Sequence, residues 1–179
     1  KVWNDRHGYD NTLRAFDESL ARLQLDHVDL YLIHWPVAGS EAYLETWRAL
    51  IKLKQDGRAK SIGVSNFMVP HLQRLIDETG VTPSVNQIEL HPRFQQKELR
   101  AFHLKSGIAT ESWSPLGQGT FMENESIATL ARKHRKTPAQ IILRWHIENN
   151  LIAIPKSVTP SRIRANLDIF GFRLDADDM

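Results

Sequence analysis

The sequence has no cysteine among its 179 residues, so disulfides, thiol nucleophiles and thiolate metal sites are excluded. This absence is compatible with a cytoplasmic location, which we expect. No apolar run approaches the ~18 residues that a membrane-spanning helix needs. The formal net charge is only +2, and basic residues are interspersed with acidic ones. The composition therefore favours neither a membrane nor a nucleic acid as the partner.

Two kinds of motif are also missing. The eight histidines show no H-E-x-x-H or other ligand spacing, so we expect no metal site. No G-x-G-x-x-G follows a predicted strand, which leaves an open dinucleotide-binding sheet without support. The hydrophobic content of 41% is that of an average globular protein. We expect one domain over residues 1–179.

Apolar patterning predicts strands and helices in strict alternation. Short apolar runs predict strands at 28–33, 61–64, 85–90, 108–113 and 151–154, with a strand stub at 1–3. Spacing of 3.6 residues predicts a helix after each strand. The first begins at a cap, Asp10 or Asn11, and the last runs over 161–170. Such alternation predicts a parallel sheet buried on both faces, either an open doubly wound sheet or a closed barrel.

The strand ends favour the barrel. Polar or aromatic residues follow nearly every predicted strand: His34, Ser65, Asn66, Gln87, Trp113 and Lys156. A single site built from many strand ends is typical of a (β/α)8 TIM barrel. A complete barrel needs about 250 residues. We therefore expect an α/β fold that is a partial barrel, lacking the first two βα units and the C-terminal tail.

Two groups of residues suggest chemistry. Lys1 and His34 are acid–base candidates, because a buried lysine beside a strand-end histidine is costly unless it belongs to a site. Lys156, Ser157 and Arg162 combine two cations, a hydroxyl and a helix N-terminus, which suits a phosphate. Simpler readings remain: a structural histidine, a surface arginine, and turn-forming Ser and Asn. Lys156 could instead be the Schiff-base amine of a barrel aldolase.

Five motifs resemble the aldo-keto reductase family in order and spacing. They are Asp-Leu-Tyr-Leu-Ile-His-Trp-Pro at 29–36, Ile-Gly-Val-Ser-Asn-Phe at 62–67, Asn-Gln-Ile-Glu-Leu-His-Pro at 86–92, Ser-Pro-Leu-Gly at 114–117 and Ile-Pro-Lys-Ser-Val at 154–158. Within the family, the chain most resembles the bacterial 2,5-diketo-D-gluconate reductase group. The resemblance implies a (β/α)8 barrel in which NADPH reduces an aldehyde or ketone, with diketo-gluconate-type sugar acids among the candidate substrates.

The resemblance also implies roles for individual residues. Lys1 matches the lysine that lowers the pKa of a catalytic tyrosine, and His34 matches the histidine that orients the carbonyl oxygen. Trp113 matches the aromatic residue that stacks on the nicotinamide, and Trp3 and Trp35 match walls of the substrate pocket. The carboxamide, pyrophosphate and 2′-phosphate contacts match, in that order, Ser65, Asn66 and Gln87; Ser114, Leu116, Gly117 and Gln118; and Lys156, Ser157, Val158, Arg162 and Asn166.

The family's tyrosine and its lysine-pairing aspartate have no match in the sequence. Both are expected before Lys1, and Tyr9 lies on the wrong side of that lysine to replace the tyrosine. We therefore expect these 179 residues alone to be inactive, and the whole protein to be a monomeric, NADPH-dependent enzyme. The remaining alternative is a non-catalytic, NADPH-binding regulatory barrel. The presence of both Lys1 and His34 favours the enzyme.

Overall fold

The computed structural model describes residues 1–179 and contains five strands and seven α-helices. The strands are β1 (Val28–Ile33), β2 (Ala59–Ser65), β3 (Val85–Glu89), β4 (Ala109–Trp113) and β5 (Ile152–Ala153). The helices are α1 (Tyr9–Leu23), α2 (Ala42–Gln55), α3 (Val69–Thr79), α4 (Lys97–Ser106), α5 (Glu125–His134), α6 (Pro138–Glu148) and α7 (Pro160–Leu167). Two short 3-10 turns cover Asn4–Arg6 and Gly117–Gly119.

The strands form one sheet in the order in which they occur along the chain, β1-β2-β3-β4-β5. β1 pairs with β2, β2 with β3 and β4 with β5, and all three pairings are parallel. A helix follows each strand, as parallel neighbours require a crossover connection. The predicted parallel α/β class and its alternation are confirmed. The predicted stub is a single parallel bridge between Val2 and Ile33.

Two predicted helix ends were wrong. Asp10 and Asn11 lie inside α1, whose N-cap is Gly8 at φ 97. That backbone angle is open to glycine at little cost, so a residue without a capping side chain begins the helix. The last helix ends at Leu167, three residues before the predicted end.

Contacts with α6 account for the early end of the last helix. The Asp168 carbonyl accepts a 2.9 Å hydrogen bond from Gln140 Nε2, and the Ile169 carbonyl accepts one of 3.1 Å from Arg144 Nη1. The carbonyls at the end of a helix have no intrahelical partners. Here the two carbonyls just beyond Leu167 are satisfied instead by side chains of α6.

The chain divides into two compact units. Unit 1 contains Lys1–Gln87 and Glu98–Ala109, and unit 2 contains Ile88–Lys97 and Thr110–Met179. The core of unit 1 includes Phe16, Ile33, Trp47, Leu50, Leu53, Ile62, Val64, Leu72 and Leu75. The core of unit 2 includes Ile88, Leu90, Phe121, Ile141, Ile142, Leu143 and Leu151. No helix has the length and apolar character that crossing a membrane would require.

Candidate functional site

In unit 1, the first residues of the chain run beside the end of β1. The Val2 N–H donates to the Leu32 carbonyl at 2.9 Å, and the His34 N–H donates to the Val2 carbonyl at 3.1 Å. This pairing places Lys1 and Trp3 next to the strand end that carries His34. The Trp3 and His34 rings meet edge to face, with centroids 4.6 Å apart and an interplanar angle of 80°.

The surroundings of His34 favour its neutral form. Burial lowers the pKa of the imidazole below its ordinary value, and the positive charge of Lys1 lowers it further. A neutral imidazole keeps one N–H donor and one acceptor nitrogen. The ring can therefore donate one hydrogen bond to a polar group without carrying a charge itself.

The next two strand ends contribute a compact corner, formed by Ser65, Asn66 and Gln87. The Gln87 carbonyl accepts from Ser65 Oγ at 2.8 Å and from the Asn66 N–H at 2.9 Å. Asn66 Nδ2 donates to the His34 carbonyl and to Ser65 Oγ, both at 3.1 Å. Lys1 Nζ donates to Gln87 Oε1. Five of the predicted site residues, from three different strand ends, thus lie together in unit 1.

Asn66 adopts a backbone conformation that few residues favour. Its φ is 63°, in the left-handed region that asparagine tolerates better than most residues other than glycine. The turn directs the chain away from β2 directly after Ser65. The predicted turn chemistry of Ser65 and Asn66 and their place in the corner are thus the same feature.

The two predicted aromatic walls are largely open. Trp3 is 51% exposed and Trp35 is 40% exposed, which is high for such large apolar side chains. Trp3 contacts the His34 ring, and Trp35 follows His34 in the chain. Unit 1 therefore presents an apolar surface beside the neutral histidine, as a small organic ligand would require.

In unit 2, β4 leads into a tight loop. Trp113 ends the strand half-buried, and Ser114 follows at φ 47. The Gly117 N–H donates a hydrogen bond to the Ser114 carbonyl at 2.8 Å. Gly117 itself has φ 52, and a Cβ added there would lie 2.6 Å from Phe121 Cζ. A side chain at this point of the loop would have to adopt a left-handed conformation and displace the Phe121 ring.

The loop borders a cavity of about 530 Å³. Six predicted cofactor residues line it: Leu116, Gln118, Lys156, Ser157, Arg162 and Asn166. Six other residues, which the sequence interpretation did not assign to the site, complete the lining: Gly119, Met122, Thr137, Pro138, Ala139 and Ala165. Thr137 and Pro138 begin α6, and a cap followed by proline is a helix-start signal that could have suggested them.

The charge of this cavity favours an anion. Its lining contains two cations, Lys156 and Arg162, and no acidic residue. Arg162 lies in the first turn of α7, whose N-cap residue Thr159 makes no side-chain capping hydrogen bond. The helix N-terminus therefore adds a partial positive charge that its cap leaves available.

The predicted residues Val158, Ser114, Gly117 and Trp113 do not line the cavity. Val158 is 79% exposed, and Ser114, Gly117 and Trp113 belong to β4 and the loop after it. Lys156 is also exposed. A Schiff-base lysine is activated by an apolar, desolvated setting, so the aldolase alternative gains no support from this position.

Comparison with known proteins gives a consistent result. Residues 1–179 match the profile described as "Aldo/keto reductase family" over their whole length. The chain is 54% identical to an aldo-keto reductase of Mycolicibacterium smegmatis over 179 residues, covering all of this chain and 65% of the relative. It is 54% identical to the methylglyoxal reductase DkgA of Escherichia coli K12 over 181 residues, with the same coverage of 100% and 65%.

A solved structure shares the fold. A mutant of Gox0644 in complex with NADPH superposes with a TM-score of 0.98 at 60% identity, covering 99% of this chain and 66% of that one. The chain thus spans about 65% of the length of the curated relatives that it matches.

Proposed function

Because this chain belongs to the aldo/keto reductase family, we propose that it forms most of an enzyme that uses NADPH to reduce aldehydes or ketones to alcohols. The observation that carries the proposal is the cationic cavity of unit 2, lined by Lys156, Ser157, Arg162 and Asn166. A 60%-identical structure contains NADPH, and a 54%-identical relative is named a methylglyoxal reductase.

The residues of unit 2 fit the phosphate-bearing part of this cofactor. Two cations, a hydroxyl and an amide line one cavity without an opposing carboxylate, and charge-assisted hydrogen bonds to phosphate are the strong ones. We assign the 2′-phosphate to Lys156, Ser157 and Arg162, with Asn166 beside them. Leu116 and Gln118, from the loop that Gly117 shapes, line the same cavity and are assigned to the pyrophosphate side.

The residues of unit 1 fit the reacting end. The amide and hydroxyl groups of Ser65, Asn66 and Gln87 match the donors and acceptors of a carboxamide, and we assign them to the nicotinamide carboxamide. When bound, the cofactor supplies the hydride. His34, whose surroundings favour the neutral form, is assigned to donate a hydrogen bond to the carbonyl oxygen. Lys1 is assigned the family's role of tuning a tyrosine.

Trp3 and Trp35 are assigned to the substrate. Both are exposed beside His34 and offer apolar surface to a small carbonyl compound. Methylglyoxal and diketo-gluconate-type sugar acids are the candidate substrates. Residues 1–179 as one incomplete barrel domain, a monomeric state and a cytoplasmic location complete the proposal.

Arg162 offers a direct test of the phosphate assignment. A hydrogen bond to a charged group contributes about 1.5–3 kcal/mol, which is about 10-fold to 150-fold in affinity. We expect Arg162→Ala to weaken NADPH binding at least about tenfold and to leave NADH, which has no 2′-phosphate, nearly unchanged. Quenching of tryptophan fluorescence would measure both dissociation constants.

Arg164→Ala is the matched control, because Arg164 lies on the same helix, is also exposed and does not line the cavity. Equal effects of the two substitutions on NADPH binding would contradict the phosphate assignment.

Turnover separates the enzyme from the regulatory alternative. Methylglyoxal-dependent loss of NADPH absorbance by the whole protein is expected, and His34→Ala should reduce kcat. A hydrogen bond to the developing oxyanion is worth about 10²–10³ in kcat in other enzymes, so we expect a loss on the order of 10². NADPH binding without reduction of any carbonyl compound would instead support a regulatory barrel.

A further inference from the structure

Asn86 is a fully buried polar residue that the proposed function leaves unused. It precedes Gln87 in β3, is 0% exposed, and points to the opposite face of the sheet because side chains alternate along a strand. Strands of a parallel sheet are buried on both faces and are normally apolar. An amide in this position is costly unless its donors and acceptor are satisfied.

The Asn86 side chain makes three hydrogen bonds, two to the backbone of Phe67 and one to His103. Asn86 Oδ1 accepts from the Phe67 N–H at 3.4 Å, and Asn86 Nδ2 donates to the Phe67 carbonyl at 2.8 Å. The same Nδ2 lies 3.0 Å from His103 Nε2. The amide thus binds both backbone groups of one residue and reaches the α4 histidine with its second hydrogen.

These contacts determine the protonation of His103. Rotating the amide by half a turn would set its NH₂ against the Phe67 N–H and its oxygen against the Phe67 carbonyl. The amide orientation is therefore fixed, and His103 Nε2 must accept. Burial lowers the pKa of His103 to about 4, so the ring is neutral at pH 7, with its proton on Nδ1.

Phe67 directly follows the corner residues Ser65 and Asn66. Within the corner, the Gln87 carbonyl holds the other two residues from one side, because it accepts from Ser65 Oγ and the Asn66 N–H. The corner is held from the other side by Asn86, through the backbone of Phe67. Asn66 lies at φ 63, and a left-handed residue persists only where its surroundings determine the conformation.

We propose that Asn86 and His103 are positioning residues for the nicotinamide carboxamide: Asn86 holds the Phe67 backbone, His103 holds the Asn86 amide, and together they set the directions in which Ser65 and Asn66 present their polar groups. The inference rests on the proposed function, because that function assigns the carboxamide to this corner. Asn86 acts on the corner through Phe67, and His103 acts through Asn86.

The test compares two ligands. NADPH contains the nicotinamide, whereas 2′-phospho-ADP-ribose has the same adenosine, pyrophosphate and 2′-phosphate without that ring. If His103 has a merely structural role, its replacement should weaken the binding of both ligands alike, or of neither. If it has a positioning role, its replacement should weaken the binding of NADPH alone. Isothermal titration of the whole protein with each ligand gives the two dissociation constants.

The variants are His103→Leu, which removes the acceptor, and His103→Gln, whose amide oxygen can accept from Asn86. A net hydrogen bond of about 1 kcal/mol corresponds to about fivefold in affinity. We expect His103→Leu to weaken NADPH binding about fivefold and to leave the affinity for 2′-phospho-ADP-ribose unchanged. In His103→Gln, most of the lost NADPH affinity should be restored. Asn86→Asp, which cannot donate to Phe67 or His103, should have the larger effect.

Thr46→Val is the matched control. Thr46 is also 0% exposed in unit 1, and its hydroxyl accepts from the Gly8 N–H at 2.9 Å, with no contact to the corner. It should lower stability and leave both affinities unchanged. If Asn86→Asp fails to fold, the His103 pair decides.

The outcomes separate the two levels of the argument. Two results would overturn the positioning role alone. One is an equal loss of affinity for both ligands in His103→Leu, and the other is a loss of NADPH affinity in Thr46→Val equal to that in His103→Leu. Failure of the unaltered protein to bind NADPH would overturn the proposed function and the positioning role with it.

Discussion

The loop after β4 depends on a glycine for two separable reasons, conformation and space. Gly117 has φ 52, and a methyl group there would lie 2.6 Å from Phe121 Cζ and 2.8 Å from Phe121 Cδ1. Gly119 has φ 84, and a methyl group there would meet nothing within 4 Å. Alanine at Gly119 therefore tests conformation alone, and alanine at Gly117 tests conformation plus the collision.

The two effects have different magnitudes. A left-handed conformation costs an L residue about 1–2 kcal/mol, which both substitutions incur. Phe121 is 2% exposed, and complete loss of a buried phenylalanine side chain costs about 3–5 kcal/mol. Displacing the ring without removing it should cost part of that amount. We expect Gly117→Ala to lower the free energy of unfolding by about 2–5 kcal/mol, and Gly119→Ala by about 1–2 kcal/mol.

Urea unfolding followed by tryptophan fluorescence measures both losses. The double variant Gly117→Ala/Phe121→Leu supplies the control, since the smaller side chain makes room for the methyl group. Its loss should be smaller than the sum of the two single losses, whereas Gly119→Ala and Phe121→Leu should add. Equal losses at Gly117 and Gly119 would refute the steric reasoning.

Three further predictions concern buried polar groups. Thr46→Val removes the acceptor of the Gly8 N–H, and the half-buried donor left unsatisfied should lower the free energy of unfolding by about 1 kcal/mol, as urea titration would measure. The pKa of His103 falls to about 4 in the folded state. The neutral ring therefore stabilises the fold fully at a pH above the pKa of the unfolded chain, and this stabilisation is lost as the pH decreases towards the folded pKa. Between pH 7 and about pH 5 its contribution to the loss is about 2 kcal/mol, which His103→Leu should abolish; an unchanged pH slope in that variant would contradict this. The Asp178 side chain accepts hydrogen bonds from Lys133 and His134, which lower its pKa to about 2. Asp178→Asn should lower the thermal midpoint at pH 7 but have little effect at a pH below that pKa.

The order of elements could be predicted because it depends on local patterns. Short apolar runs predicted all five strands, and β1 was predicted with its observed bounds, Val28–Ile33. Parallel strands present their carboxyl ends at the same edge. For that reason His34, Ser65, Asn66 and Gln87 could be grouped from sequence, and unit 1 brings them together.

The features that escaped prediction depend on tertiary contacts. The last helix was extended to residue 170 because its apolar pattern continues, whereas Gln140 and Arg144 of α6 bind the carbonyls of Asp168 and Ile169. Met122 and Thr137 line the cationic cavity of unit 2, although neither follows a strand. No rule about strand ends could find them, since they come from a loop and from a helix start.

Adjacent Asn86 and Gln87 show where sequence reasoning stops. The sequence shows two amides on opposite faces of a strand that should be apolar on both, so it identifies an anomaly. It explains Gln87 by resemblance alone and leaves Asn86 unexplained. The explanation requires Phe67, nineteen residues earlier, and His103, seventeen residues later. Those partners satisfy both donors of the Asn86 amide. Asn86, on one face of the strand, is therefore tied to the corner as closely as Gln87 on the other face. In the proposed function, the strand thus carries two polar residues for one purpose, Gln87 as a contact of the carboxamide and Asn86 as a support of the corner.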